Sequence, residues 1–225
     1  MSELSTILAE LEAAGSEQTR KTYRRHGLKD PMFGVSYAFM GKLARKLRGR
    51  SDLADELWAS GILEARTFAT MIAQPEAARA RRWLEDVTSN MHSIAVAEYA
   101  TKAPGALELG LDWAARPGEW PSSTGYNLLA NLAAAGAMPP ETARDLLQVI
   151  EREIHTRPNY TRYTMNGTVI AIGGCVPGLA EEAIATAERI GKVEVDHGNT
   201  ACKTPDAVPY IRKTLAHKAR KAAFG

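Results

Sequence analysis

The sequence has little cysteine, few aromatic residues and no long apolar run. Two cysteines in 225 residues, Cys175 and Cys202, exclude a disulfide scaffold and point to a reduced, cytoplasmic protein. No stretch approaches the roughly 18 consecutive apolar residues of a membrane-spanning helix, so no membrane partner is expected. Met1–Gly15 alternates Leu and Ala with Glu and has no basic start, so it does not read as a signal peptide. GxGxxG, Walker A, HExxH, GxSxG and CxxC are all missing, which argues against nucleotide-binding, metalloprotease and hydrolase classes. What remains is 45% hydrophobic and 24% charged residues, apolar enough to bury a core and to exclude disorder.

Alanine is the commonest residue and β-branched runs are few, a composition that favours helix. Boundary signals recur at short intervals. Ser2 or Ser5 can cap a first helix that Gly15 ends. Ser16 opens a second that Gly27 stops. Ser36 caps a third that is predicted to run through Arg48, with Gly49 at its end. Ser51 is predicted to cap Asp52–Ala59. Ile62–Ala73 follows, and Pro75 suits the first turn of the next helix. Pro104, Pro121, Pro140 and Pro177 mark further starts, giving about a dozen helices. Leu53, Leu57 and Trp58, then Phe68, Ala69 and Ile72, hold one buried face. Leu146, Leu147, Ile150 and Ile154 hold another. Consecutive amphipathic helices with short loops predict an all-α fold, an α-α superhelix of solenoid type, with a compact bundle as the competing architecture. One domain is expected over residues 1–225. The exception to the helical rhythm lies near residues 192–203. There Val193 and Val195 alternate before the turn signal Asp196-His197-Gly198-Asn199, which predicts a short β-hairpin or structured loop. Thr204 and Pro205 then read as the cap and first residue of a last helix, whose start Pro209 shifts or whose axis it kinks.

The net charge is only +2, but it is unevenly spread. Residues 1–19 carry four acids and no Lys or Arg. Residues 20–50 carry ten basic residues and one acid, Asp30. Residues 51–150 carry seven basic and thirteen acidic residues, and residues 151–225 eleven basic and eight acidic. Lys42, Arg45 and Lys46 fall at i, i+3, i+4 of the helix after Ser36, opposite Phe39, Leu43 and Leu47. A basic stripe opposite a packed one suits contact with phosphates. Arg20, Lys21, Arg24 and Arg25 form a second such cluster. Tyr160, Arg162 and Tyr163 interleave aromatic and basic groups, which also suits nucleic acid. The plainer reading of each cluster is a solvated helix face. Asp196, His197 and Cys202 lie close in sequence, but a structural zinc site needs four ligands and the spacing matches no zinc pattern, so no metal or other cofactor is expected. His197 with Cys202 would form a thiolate pair only if the ring lay beside the sulfur.

Phe33-Gly-Val-Ser-Tyr-Ala-Phe-Met-Gly-Lys-Leu-Ala-Arg-Lys-Leu47, Leu53-Ala-Asp-Glu-Leu-Trp-Ala-Ser60 and Glu64-Ala-Arg-Thr-Phe-Ala69 resemble the AlkD-like DNA alkylation repair family. The resemblance covers most of the chain. It implies a solenoid of HEAT-like repeats and a relation to DNA glycosylases that remove cationic N-alkylated purines. Those enzymes carry a Trp-x-x-x-Asp element, and its two positions read His92 and Val96 here. A family arginine after a Trp-x-x step reads Ser123, after Trp120, and a second pocket tryptophan falls near Thr168. The family's aspartate and aromatic faces stabilise a developing oxocarbenium charge. Val96 supplies no charge, so excision is expected to be weak or absent unless Glu98 or Asp112 substitutes.

The resemblance further implies DNA as partner. Lys42, Arg45, Lys46, Arg162 and Lys203 are then candidates for phosphate contact, and His92, Tyr126, Asn127 and Asn166 for lining any remaining pocket. His92 reads otherwise as a polar residue on a helix face. The stretch Val195–Ala207 resembles the tail of a divergent branch, and its Asp196, His197 and Cys202 mark it as a candidate for a function of its own. The alternative from another class is a non-enzymatic scaffold that holds a protein or peptide in its groove.

Overall fold

Four helices begin on a serine whose hydroxyl accepts an amide hydrogen three residues on: Ser2 from Ser5, Ser16 from Thr19, Ser36 from Phe39 and Ser89 from His92. Each cap satisfies one of the amides that a helix start leaves without an intrahelical partner. The computed structural model describes residues 2–29 and 31–224. Met1, Asp30 and Gly225 lie outside them, so the one acid of the basic segment is not described. Thirteen α-helices and no strand occur among the described residues, and their contacts divide them into two units. No helix is long and apolar enough to cross a membrane.

The first unit runs to Pro104 and includes His197–Ala201. It contains α1 (Glu3–Ala13), α2 (Glu17–Arg25), α3 (Tyr37–Ala44), α4 (Ser51–Ala59), α5 (Leu63–Ile72), α6 (Ala77–Leu84) and α7 (Asn90–Ala100). Helix α5 lies at its centre, against α1, α3, α4 and α7. Leu53, Leu57, Trp58, Phe68, Ala69 and Ile72 are all buried, as the apolar spacing predicts.

One acid interrupts that apolar surface. Glu64 is fully buried in the first turn of α5. Its carboxylate accepts the amides of Phe33 at 2.9 Å, Gly34 at 2.6 Å and Val35 at 3.1 Å. The same loop is held from outside. Arg20 donates to the Phe33 carbonyl, Tyr23 to that of Val35, and the Ser16 amide to that of Gly34. Only glycine suits position 34, where φ is +80° and a Cβ would lie 2.4 Å from the Ser16 carbonyl oxygen. The loop sets where Ser36 starts α3, and so where the basic side chains of α3 lie.

The second unit comprises Gly105–Asp196 and Cys202 onward. It contains α8 (Ala106–Ala115), α9 (Glu119–Ala134), α10 (Pro140–Glu153), a 3-10 turn at Ile154–Thr156, α11 (Asn159–Cys175), α12 (Ala180–Ile190) and α13 (Ala207–Phe224). Helix α9 packs between α8 and α11, and α11 also carries α12 and α13. The α8–α9 approach is so close that a Cβ at Gly125 would sit 2.2 Å from the Ala114 nitrogen. The α9–α11 seam is lined by small hydroxyl residues, with Ser122 and Thr161 oxygens 2.7 Å apart. Leu146, Leu147, Ile150 and Ile154 are buried in the core of this unit.

Several sequence expectations are corrected. Helix α3 ends at Ala44 rather than Arg48, because the chain turns off so that the Gly49 amide can donate to the Ile72 carbonyl at 2.7 Å. Ser51 is the first residue of α4 and not its cap; its hydroxyl accepts the Gln74 amide. Pro75 precedes α6, which starts at Ala77. Helix α13 starts two residues later than Thr204-Pro205 predicts. The Asp206 carboxylate accepts the Val208 amide, and Pro209 sits inside the first turn.

The β-hairpin near residues 192–203 does not form. Side-chain amides replace a partner strand. The Asn159 amide donates to the Asp196 carbonyl while its oxygen accepts the Asp196 N–H, and Asn166 donates to the Pro205 carbonyl. Val193 is buried in the second unit without a ladder beside it.

Replacing Glu64 by Ala strands three amides. An unsatisfied buried donor costs about 1–3 kcal/mol, so E64A is expected to lose at least about 3 kcal/mol of stability. Urea denaturation measures this, and a loss under about 1 kcal/mol would contradict the account of the loop.

Candidate nucleic-acid interface

In the first unit, the loop clamped by Glu64 leads into α3, whose far end carries the predicted stripe. Lys42 is helical, Arg45 is the C-cap and Lys46 lies in the following turn; all three are exposed. Among the described residues, no acid lies within ion-pair distance of any of the three. The neighbouring cluster on α2 is partly spent on structure. Arg20 and Arg24 both pair with Glu17, and among the described residues only Lys21 and Arg25 of this cluster keep their charge out of an ion pair.

His92 and Val96, which the resemblance sets at the glycosylase tryptophan and aspartate positions, lie in the core of the same unit. Both are fully buried on α7. The His92 ring sits 5.9 Å from Trp58, and its Nε2 is 3.2 Å from the Leu63 carbonyl oxygen. Trp58 stacks on Trp83 at 4.7 Å, and Trp83 meets Tyr99 at 4.9 Å. The Trp58 indole donates to Asp86 and the Tyr99 hydroxyl to the Gln74 carbonyl. Arg66 lies over the Trp58 ring, and Arg79 over that of Trp83 while it forks onto Asp55. These aromatics hold helices together. Glu98 lies on the exposed side of α7, near enough to Tyr37 to help burial raise that phenol.

In the second unit, Tyr126 is buried and Asn127 half-buried on α9, and Asn166 is buried on α11 and spent on the Pro205 carbonyl. Ser123 and Thr168, which the resemblance sets at or near the family arginine and second tryptophan, are buried in the α9–α11 seam. Thr168 donates to the Tyr126 carbonyl. Asp112 is exposed and paired with Arg116 at 3.2 Å. The start of α11 is fixed by the Tyr160 amide, which donates to Glu119 at 2.8 Å, and by the Tyr160 ring against Trp120 at 5.2 Å. Arg162 is half-buried beside Asn159, while Tyr163, Cys202 and Lys203 are exposed. Asp196, His197 and Cys202 do not form a metal-ligand group, and none is found among the described residues.

Sequence reasoning missed the work done by Glu64, Arg79 and Asn159. Glu64 alone left a signal: an acid between Leu63, Ala65 and Phe68, on the face that points inward. A cavity of about 360 Å³ in the first unit also went unpredicted, lined in part by Arg48, Thr70, Gln74 and Lys102.

Three comparisons extend this geometry. The sequence profile of the family described as DNA alkylation repair enzyme matches residues 7–211. An uncharacterized protein of Listeria monocytogenes is 30% identical over 218 residues, covering 91% of this chain and 93% of its own length. One from Listeria innocua is 29% identical over the same span, with the same coverage. A solved structure described as a new family of proteins related to the HEAT-like repeat DNA glycosylases, with affinity for branched DNA structures, superposes with a TM-score of 0.88. It is 29% identical, covering 96% of this chain and 95% of that one.

Tyr126 gives this site a pH signature. Burial pushes its phenol up to about 12 from the ordinary 10.0, and burial with the nearby Glu64 does the same to Tyr23. A phenol raised in the folded state favours folding fully below its unfolded pKa, and that contribution is lost as pH rises from 10 toward 12. Stability is therefore expected to fall over that window, less steeply in Y126F. Chemical denaturation across the window checks this, and identical slopes would contradict it.

Proposed function

The chain belongs to the DNA alkylation repair enzyme family, and on that premise we propose that it binds DNA by its phosphate backbone, favours branched structures, and does not excise alkylated purines. The carrying observation is the exposed group Lys42, Arg45 and Lys46, which has no acid within ion-pair distance among the described residues and follows the Glu64-clamped loop. Phosphate oxygens are the ligands that such a group of cations suits. Arg162 and Lys203 are the corresponding candidates of the second unit. The branched preference is carried over from the relative described as having affinity for branched DNA structures, with which this chain shares its HEAT-like repeat fold.

Loss of excision follows from residue chemistry. The resemblance gives the glycosylase aspartate position to Val96, which has no charge and is fully buried. Its tryptophan position, His92, packs on Trp58 and offers no open ring face to a purine. Glu98 and Asp112 are exposed acids, and Asp112 is already paired. Of the four candidate pocket residues, His92 and Tyr126 are packed in the core, Asn166 bonds to the Pro205 carbonyl, and Asn127 is half-buried.

The acidic middle of the chain favours a protein-binding scaffold less than its count of thirteen suggests. Asp52, Asp55, Glu76 and Asp112 pair with arginines. Glu64 and Glu119 hold backbone amides, and Asp86 holds the Trp58 indole. At least these seven already have partners within the chain. The proposed place of action is the cytoplasm, where a DNA alkylation repair family member would meet DNA.

DNA affinity is expected to fall steeply with salt. Replacing Lys42, Arg45 and Lys46 by Gln should reduce the logarithmic salt slope by about 0.9 for each phosphate no longer neutralised. A titration series of wild type and triple variant on duplex DNA measures both. Binding indifferent to salt, or no binding, overturns the reading and favours a protein or peptide occupant. Release of 7-methylguanine from alkylated DNA is expected at the spontaneous rate. Faster release contradicts the loss of excision and turns attention to Glu98 and Asp112 as charge donors.

A further inference from the structure

Helix α13 packs for only half its length. Ala207 and Ile211 are buried, and Val208 and Leu215 pack against the core of the second unit. Two glycines of α11 admit it: a Cβ at Gly173 would lie 2.8 Å from Ile211, and one at Gly174 would lie 2.8 Å from Thr214. Beyond Leu215 the packing stops. Residues 216–222 are all exposed, including Lys218 and Ala222, which continue the row of Ile211 and Leu215 at i, i+4, i+7, i+11. Residues 216–222 therefore stand in solvent.

Their composition is one-sided. The helix holds Arg212, Lys213, Lys218, Arg220 and Lys221 and no acid. Among the described residues none of these five is in an ion pair, and Arg220 is bonded only to the Ala216 carbonyl of its own helix. Tyr210 in the first full turn is 49% exposed, and Tyr163 of α11 is 39% exposed. The two are close enough for Tyr210 to contribute to the raised Tyr163 phenol, after burial and Cys202.

We infer that α13, with Tyr210 and Tyr163 at its base, is a binding surface for an unpaired nucleic-acid strand, its cations contacting phosphates and its tyrosine rings stacking on bases. Five cations on one helix, three of them beyond Leu215 and none in an ion pair among the described residues, match a polyanion. Exposed aromatic rings beside them select bases free to leave a stack, which a duplex interior does not offer. An anionic membrane surface is the poorer fit. A surface-lying helix needs a free apolar face, and that of α13 is used against α11, while residues 216–222 hold no large apolar side chain. The inference rests on the DNA-binding reading and names the part of a branched structure that this unit takes.

The test uses the full chain and fluorescence anisotropy with labelled oligothymidine and a labelled blunt duplex. K213Q/K218Q/R220Q/K221Q is compared with Y210A and wild type over about 50–200 mM salt. All five positions are exposed, and circular dichroism with thermal melting verifies that each variant is folded. The quadruple variant should flatten the salt slope on oligothymidine by about 0.7 for each phosphate it no longer neutralises. Y210A should weaken oligothymidine binding about tenfold and leave the duplex within about twofold. Wild-type binding to duplex but not to oligothymidine overturns this inference and leaves the DNA-binding reading standing, as do variants that bind oligothymidine like wild type. Equal losses on both probes in Y210A overturn the stacking role. Binding to phosphatidylserine vesicles that oligothymidine does not displace overturns the choice of ligand. Absence of all DNA binding by wild type fails both readings together.

Discussion

A carboxylate taken out of water must be surrounded by donors, and Glu64 draws its donors from three consecutive amides, those of Phe33, Gly34 and Val35. That geometry ties residues 33–35, between α2 and α3, to α5. It places Gly34 where no other residue fits, brings Ser36 to the start of α3, and so sets the direction in which Lys42, Arg45 and Lys46 leave the surface. Arg20 and Tyr23 support the same loop through carbonyls, which removes part of the α2 basic cluster from solvent duty. The basic patch of the first unit is thus a consequence of a buried acid on a different helix.

The second unit solves a similar problem with amides and hydroxyls. Asn159 binds both the N–H and the C=O of Asp196, Asn166 binds Pro205, and Glu119 caps the start of α11. These bonds carry an extended segment along α11 without a partner strand. Small residues do the rest: Gly125 lets α8 and α9 touch, and Gly173 and Gly174 seat the first half of α13.

Much of the helical architecture was legible because its signals are local. The Ser2, Ser16 and Ser36 caps and the stripes around Leu57, Phe68 and Leu147 depend only on near neighbours in sequence. What was not legible depends on distant partners. Helix α3 stops at Ala44 because Gly49 bonds to Ile72, and the Val193–Val195 alternation forms no hairpin because Asn159 takes the strand's place. The candidate interface divides the same way. Exposed cations could be counted from the sequence, whereas the fate of His92 and Tyr126 could not, since an aromatic of a pocket and an aromatic of a core carry the same letters. Both residues are buried, so neither offers a ring to a pocket.

We propose phosphate contact directed at branched structures, without base excision, on this scaffold. Equilibrium competition between a four-way junction and a linear duplex of equal length, at one fixed salt concentration, tests it most directly. The account predicts that the junction displaces the duplex at lower concentration. Equal affinity for the two, or preference for the duplex, would contradict it.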